Sequence, residues 1–455
     1  MTNITVEIRK SSLGEDASHP VDVARFIDEH PLGAFQKRIY ATCILLTLLD
    51  GFDLLTMALA APLLTEQWHI SARSLGSVFA AGPFGMATGA IFLGALADKI
   101  GRKRLIVAST LLMGVFSLMT ASAHSTGGLA ALRFLTGLGL GGILPNLIAL
   151  STEYAPSRMR GFLTTLSFCG LSFGSMFGGL LGAWLLPLFG WQAVFIVGGS
   201  APLLVAAWLP WGLPESIRFL AARGGRENEI AGTLKKIAPA EQIPPGTTFT
   251  VPDASRKKVS LARLFGPGRT LATLLLTFIV VLNSFALYFM LNWLPTLMKV
   301  GGLSTRGALL CSVLLNGAGG VGAFVIGRFM DRFGSVRVMA LTCLIASAGV
   351  AGVGFSTKSA ASLVPILILS GATILCTLIG MYVVIAGVYP TTIRSTGAGF
   401  VLGIGRVGSI LGPMAGGWAL ALKWSVPAIF LMAAAPLLLA GVILANMKFV
   451  SRRFE

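Results

Sequence analysis

Four ionisable side chains sit deep inside stretches that are otherwise apolar: Asp50 and Asp53 in "LLTLLDGFDLL", Arg133 in "ALRFLTGLGLGG" and Arg406 in "LGIGRVGSIL". A charge near the middle of a membrane helix costs roughly 3 kcal/mol by insertion scales, so such residues are retained for work. Asp50 and Asp53 are three residues apart, which puts them on one helix face. Two neighbouring carboxylates in low dielectric repel each other and lose solvation, so at least one should hold a proton near neutrality. Arg133 and Arg406 are permanently charged; a guanidinium fork can neutralise an aspartate or take a carboxylate ligand bidentately. Either Asp53, whose protonation would free Arg133, or Asp50 can be the proton bearer, and the residues leave that choice open. Arg406 has no acidic neighbour on its own segment, so it is the expected anion partner.

The elements that must position these groups are read from composition. The chain has 455 residues, 55% hydrophobic and 12% charged, with a mean hydropathy of +0.81, the composition of an integral membrane protein. Apolar runs long enough to cross a ~30 Å hydrocarbon core as helices recur twelve times: 40–64, 75–97, 105–123, 128–151, 162–186, 192–213, 270–298, 306–327, 337–356, 361–387, 397–422 and 425–447. The expected fold is all-α with twelve transmembrane helices in two six-helix halves. It comprises a tail (1–39), a first bundle (40–213), a central loop (214–269), a second bundle (270–447) and a second tail (448–455). Of the 35 Lys and Arg, 28 fall on the side of the termini; Arg73, Lys299, Arg306, Lys358 and Lys423 fall on the other. Short cytoplasmic loops carry the basic excess, so both termini are expected inside. The first residues lack the apolar core and cleavage site of a secretory signal, so the first span should direct insertion into the inner membrane. The net charge of +17 is then a matter of topology and anionic headgroups. No basic segment carries the aromatic stacking pattern of a nucleic-acid binder. The five cysteines lie in expected spans without metal-ligand spacing, so neither metal nor cofactor is expected.

The halves repeat. "GALADKIGRKR" (94–104) returns as "GRFMDRFGSVR" (327–337), "PSRMR" as "PTTIR", and "GSMFGGLLGAW" (174–184) as "GSILGPMAGGW" (408–418), all at offsets of 233 or 234. Parallel repeats are the arrangement of carriers whose halves rock about a central site. None of the four buried charges recurs at its sister position: Asn283, Ala286, Ile366 and Ser172 stand there. A requirement of the fold alone should appear in both halves, so the charges are assigned to ligand or proton work. Gly174, Gly178, Gly182, Gly408, Gly412 and Gly416 are expected to line close helix contacts between the halves.

"GALADKIGRKR" and its weaker echo resemble the loop signature of the major facilitator superfamily. "DGFD", "RFLTGLGLGGILPN", "YPTTIRSTGAGFVLGIGRVGSILGP" and the N-terminal "VDVARFIDEHPLGAFQKR" resemble the aromatic acid:proton symporter family within it. The resemblance implies a monomeric, proton-driven carrier of an aromatic carboxylate, with roles for Asp50, Asp53, Arg133, Glu153, Arg394 and Arg406. Gly94, Asp98, Arg102, Asp331 and Arg332 read as parts of a gate latch between the halves on the cytoplasmic side, and Glu153 and Arg394 as a gate pair. An apolar slot for the ring would draw on Phe52, Tyr288, Trp293 and Tyr382, with Asn146, Asn283 and Asn292 for ring hydroxyls. The fifth span lacks the proline of the antiporter signature, which leans toward symport. "PESIRFL" also resembles the sugar and organic-cation branches. A sugar carrier should place more Gln and Asn along the seventh span, and a cation carrier should have no unpaired arginine. A receptor lacks an output domain here, and no enzymatic triad or phosphate loop stands in a suitable context.

Overall fold

In the computed structural model, which describes residues 20–241, 243–244, 246–250, 261–266, 269–357, 359–390 and 393–447, the apolar runs become helices longer than the runs themselves. The first is α2 (Ala34–Trp68), after a short α1 (Val23–Glu29). It starts six residues before its apolar run because Gln36 Oε1 accepts from the Gly33 N–H at 3.0 Å, satisfying a donor the helix start would leave orphaned. It ends at His69, whose φ of 50° is left-handed. Then follow α3 (Ala72–Ile100), α4 (Arg102–Thr120), α5 (Thr126–Glu153), α6 (Arg160–Phe189) and α7 (Gln192–Gly212). Two short helices, α8 (Ile217–Arg223) and α9 (Glu227–Ile237), lie in the central segment. The second series is α10 (Thr270–Val300), α11 (Thr305–Phe333), α12 (Ser335–Phe355), α13 (Ala360–Val388), α14 (Arg394–Ala421) and α15 (Val426–Asn446). Among the described residues, twelve helices are long and apolar enough to cross a membrane. The expected tail 448–455, Lys358 and two residues of "PTTIR" lie outside the described residues, as do residues 1–19.

Small residues set the packing. A Cβ on Gly51 would run into the backbone of Leu171, and one on Gly174 into the backbone of Leu48, so α2 and α6 cross at a distance only glycine allows. This corrects one expectation. Gly174, Gly178 and Gly182 face Leu48, Phe52 and Leu59 of α2, while Gly408, Gly412 and Gly416 face α10 at Val281, Phe285 and Trp293. Neither row lies between the two series; each stitches neighbours within its own, since close approach is needed where helices run side by side for their whole length.

α3 packs on α5, α2 on α6, and α4 on α5 and α7; α10 packs on α14, α12 on α13 and α15, and α11 on α13. Contacts across the series run through α3 with α14, α6 with α11 and α2 with α10. These are concentrated away from the chain termini. Gly76 abuts Pro413 and Gly417, Phe79 meets Trp293 edge to face at 5.1 Å, and Lys299 Nζ lies 2.5 Å from Glu66 Oε1. On the terminal side, Gly94, Gly327 and Gly403 have nothing within 4 Å of a built Cβ. Among the described residues, the ion pair and ring contact between the series lie on the side away from the termini, the closed side, and none lies on the terminal side.

The polar tail and central segment, read from the sequence as separate, are joined. Val21 and Asp22 pair in parallel with Phe249 and Thr250. Val23 and Ile27 share a buried cluster with Ile217, Leu220, Ile230, Leu234 and Ile237. Ile230, Leu234 and Ile237 recur every three or four residues, with Glu227 and Glu229 in the first turn of α9 and Lys235 and Lys236 in the last. That amphipathic pattern, with charges complementing the helix dipole, was the available signal.

Candidate functional site

The two aspartates of α2 sit one turn apart in different surroundings. Asp53 is fully buried. Arg133 of α5 reaches it with both arms, Nη2 at 2.6 Å from Oδ2 and Nη1 at 3.2 Å from Oδ1. The Ser117 hydroxyl of α4 donates to Oδ1 at 3.0 Å, and Arg133 Nη2 also reaches the Asp53 carbonyl at 3.4 Å. The far face of the guanidinium lies over the Phe195 ring of α7, 5.8 Å from its centroid. Every charge here has a partner, which a buried ion pair needs in order to offset its desolvation. Ser117 and Phe195 were not singled out from the sequence; a lone serine or phenylalanine in an apolar run carries no signal by itself.

Asp50 is equally buried, yet neither carboxylate oxygen has a hydrogen-bond partner among the described residues. The cation acting on it is Arg406 of α14, which also acts on the hydroxyls of Tyr288 on α10 and Tyr382 on α13. Among the described residues no carboxylate lies within salt-bridge distance of Arg406, and its guanidinium donates no hydrogen bond. Four helices thus bring Asp50, Tyr288, Tyr382 and Arg406 together: one acid, one cation and two phenols.

The other expected ligand contacts divide. Trp293 is fully buried, its indole N–H donating to the Pro413 carbonyl at 2.8 Å, so in this conformation it is a packing joint on the closed side and offers no face to a ligand. Asn283 is also fully buried and spans helices, donating to the Thr377 carbonyl at 3.4 Å and accepting from the Cys343 thiol at 3.7 Å. Asn146 and Asn292 turn their amide N–H groups back on their own helices, to Gly142 and Tyr288, both at 2.8 Å. Phe52 packs against Gly178 and Gly198.

On the terminal side, Arg102 pairs with the buried Glu153 carboxylate, which also accepts from Ser216 Oγ at 2.7 Å and lies 4.0 Å from Arg218. Glu215 accepts from the Lys103 N–H at 3.1 Å, and its carbonyl accepts from the Tyr154 hydroxyl at 2.7 Å. "PES" therefore ties the central segment to α4 and α5. The expected latch between the series is not formed here. Asp98, Asp331 and Arg332 are exposed and in no ion pair among the described residues. Arg394 is spent on the Tyr389 carbonyl at 3.3 Å rather than on Glu153.

Twelve membrane-length helices around a buried acid and an unpaired cation define a multi-pass membrane carrier. The description Major Facilitator Superfamily matches residues 43–377 and 313–454. The chain is 37% identical to the gallate transporter of Pseudomonas putida over 429 residues, covering 94% of this chain and 95% of that protein. It is 39% identical to the 4-hydroxybenzoate transporter PcaK of Pseudomonas aeruginosa over 407 residues, 89% and 91% of the two chains. A crystal structure of a D-xylose-proton symporter superposes with a TM-score of 0.69 at 17% identity, covering 91% of this chain and 98% of that one. The chain belongs to the major facilitator superfamily and, within it, to the aromatic acid:proton symporter family. It is a secondary transporter and not an enzyme.

Proposed function

We propose that the chain imports an aromatic carboxylate, of the hydroxybenzoate or benzoate type, together with a proton. The observation that carries this is the Arg406 guanidinium, unpaired among the described residues, beside two tyrosines and a buried carboxylate that accepts no hydrogen bond among them. Arg406 takes the substrate carboxylate, the rings of Tyr288 and Tyr382 flank the aromatic ring, and Asp50 carries the proton. Of the two aspartates, Asp53 already has three side-chain donors, so its charge is held. Asp50 has none, and an ionised carboxylate buried without donors is strongly disfavoured. Protonated, it leaves Arg406 free for the anion; once the proton departs, its charge competes with the substrate for Arg406 and favours release. The named substrates of the relatives support the aromatic assignment.

Transport follows by alternating access between a first bundle (40–213) and a second (270–447), joined by the loop 214–269. The basic excess at the termini supports a cytoplasmic terminal side and an inner-membrane location, so a state closed on the other side faces inward. In the outward-facing state Asp98, Asp331, Arg332 and Arg394 would come together with Gly94 at the closed cytoplasmic side, while Arg102 and Glu153 travel as one unit on the first bundle. The contacts of Glu66 with Lys299 and of Phe79 with Trp293 would open. The carrier works as a monomer, since each chain holds a whole site.

The test is proteoliposome transport with 4-hydroxybenzoate, gallate and benzoate, and xylose as the competitor from the sugar branch. Wild type should accumulate an aromatic acid against its gradient when the outside is acidic. Asp50→Asn should exchange substrate in counterflow but not accumulate it. Gradient-driven accumulation by Asp50→Asn at the wild-type level would sink the assignment, and inhibition by xylose but not by benzoates would sink the substrate class.

A further inference from the structure

The repeated loop is covered in one series and open in the other. In the first series, the turn at Gly101 between α3 and α4 is covered by α8: a Cβ there would strike Glu215 and press on Phe219. Two of its cations are engaged by protein, Arg102 by Glu153 and Lys103 by the Pro210 carbonyl at 2.6 Å, and Ser335 and Val336 stand at their sister positions. In the second series the equivalent turn is Gly334, with nothing within 4 Å. Lys99 and Arg104 correspond to Arg332 and Arg337, at an offset of 233. Neither Arg332 nor Arg337 is in an ion pair among the described residues.

Below these arginines runs a groove of about 1090 Å³ between α11, α12 and α13, lined by Val325, Phe329, Leu341, Ile368 and Ala372 and bordered by Arg332 and Arg337. Phe329 and Phe333 stack at its rim with centroids 6.2 Å apart, and the Arg332 guanidinium lies over Phe333 at 5.4 Å. The volume exceeds the ~300–1,000 Å³ of ordinary small-molecule sites, and an apolar trough ending in two cations at the headgroup level fits one amphiphile with an anionic head. We propose that this groove binds an anionic phospholipid, its phosphate on Arg332 and Arg337 and an acyl chain along α11 and α13.

Native mass spectrometry of the full chain, equilibrated in detergent with phosphatidylglycerol or with phosphatidylcholine of the same acyl chains, tests this. Wild type should retain phosphatidylglycerol preferentially. Arg332→Gln with Arg337→Gln should lower its retention by about 25-fold, each surface cation contributing about fivefold, and Val325→Trp should lower it by filling the trough. Glycerol phosphate should not displace the lipid, because it lacks the chain. Equal retention of the two lipids by wild type overturns the proposal, as does wild-type retention by Val325→Trp or by the double arginine variant. So does displacement by glycerol phosphate, or a dimer peak with no lipid retained. If the double variant does not fold in phosphatidylcholine micelles, Arg337→Gln alone carries the same reading at about fivefold.

Discussion

One helical turn of α2 separates a carboxylate held by three donors from one that accepts no hydrogen bond among the described residues. Around Asp53, three neighbouring helices contribute an arginine, a hydroxyl and an aromatic face, all from the first series. Around Asp50 the groups that matter, Arg406, Tyr288 and Tyr382, come from the second. A pair satisfied within one series is indifferent to movement between the two. An acid whose only cation belongs to the other series feels every such movement. The first arrangement suits a fixed strut and the second a coupling element.

That contrast can be broken at several points. The largest effect is expected at the strut: Arg133→Ala leaves Asp53 buried without its cation and should cost about 3–5 kcal/mol of stability, read as detergent thermal unfolding. Adding Asp53→Asn should recover much of that, because no orphan charge remains; a double variant as unstable as the single would mean that Arg133 acts through packing. Next, Arg406→Ala should weaken aromatic acid binding by about 2–5 kcal/mol in calorimetry with little change in unfolding temperature. A large loss of stability instead would make Arg406 a strut too. Ser117→Ala removes one charge-assisted bond and should cost about 1.5–3 kcal/mol while leaving coupling intact. Smallest, Glu66→Gln breaks a partly exposed pair worth about 0–1 kcal/mol. Its effect should appear as a shift toward the outward-facing state in a distance measurement between labels on the closed side, not as lost stability.

Much of this was legible in the residues. Twelve apolar runs fixed the helices because in lipid each backbone must satisfy itself, and Asp50, Asp53, Arg133 and Arg406 stood out because charge is costly there. The residues already set Arg133 against Asp53; what they left open was which aspartate carries the proton, since Asp50 and Asp53 share a helix face and only the folded surroundings differ. The glycine rows were recognised as contact surfaces but assigned to the wrong neighbour, because spacing of four reports close approach without naming the partner. Trp293 looked available as an aromatic in a polar-dotted span; its burial depends on Pro413 and Phe79, far away in the chain.

The pairing of Val21 and Asp22 with Phe249 and Thr250 has a bearing on biogenesis. During synthesis the N-terminal strand emerges first and its mate only after six spans have been threaded, on the order of 10 to 50 s later at 5–20 residues per second. Until then the apolar side of α1, Val23 and Ile27, lacks the central-segment half of its cover. Its closure therefore marks a nascent chain whose opening six spans have already been delivered to the bilayer.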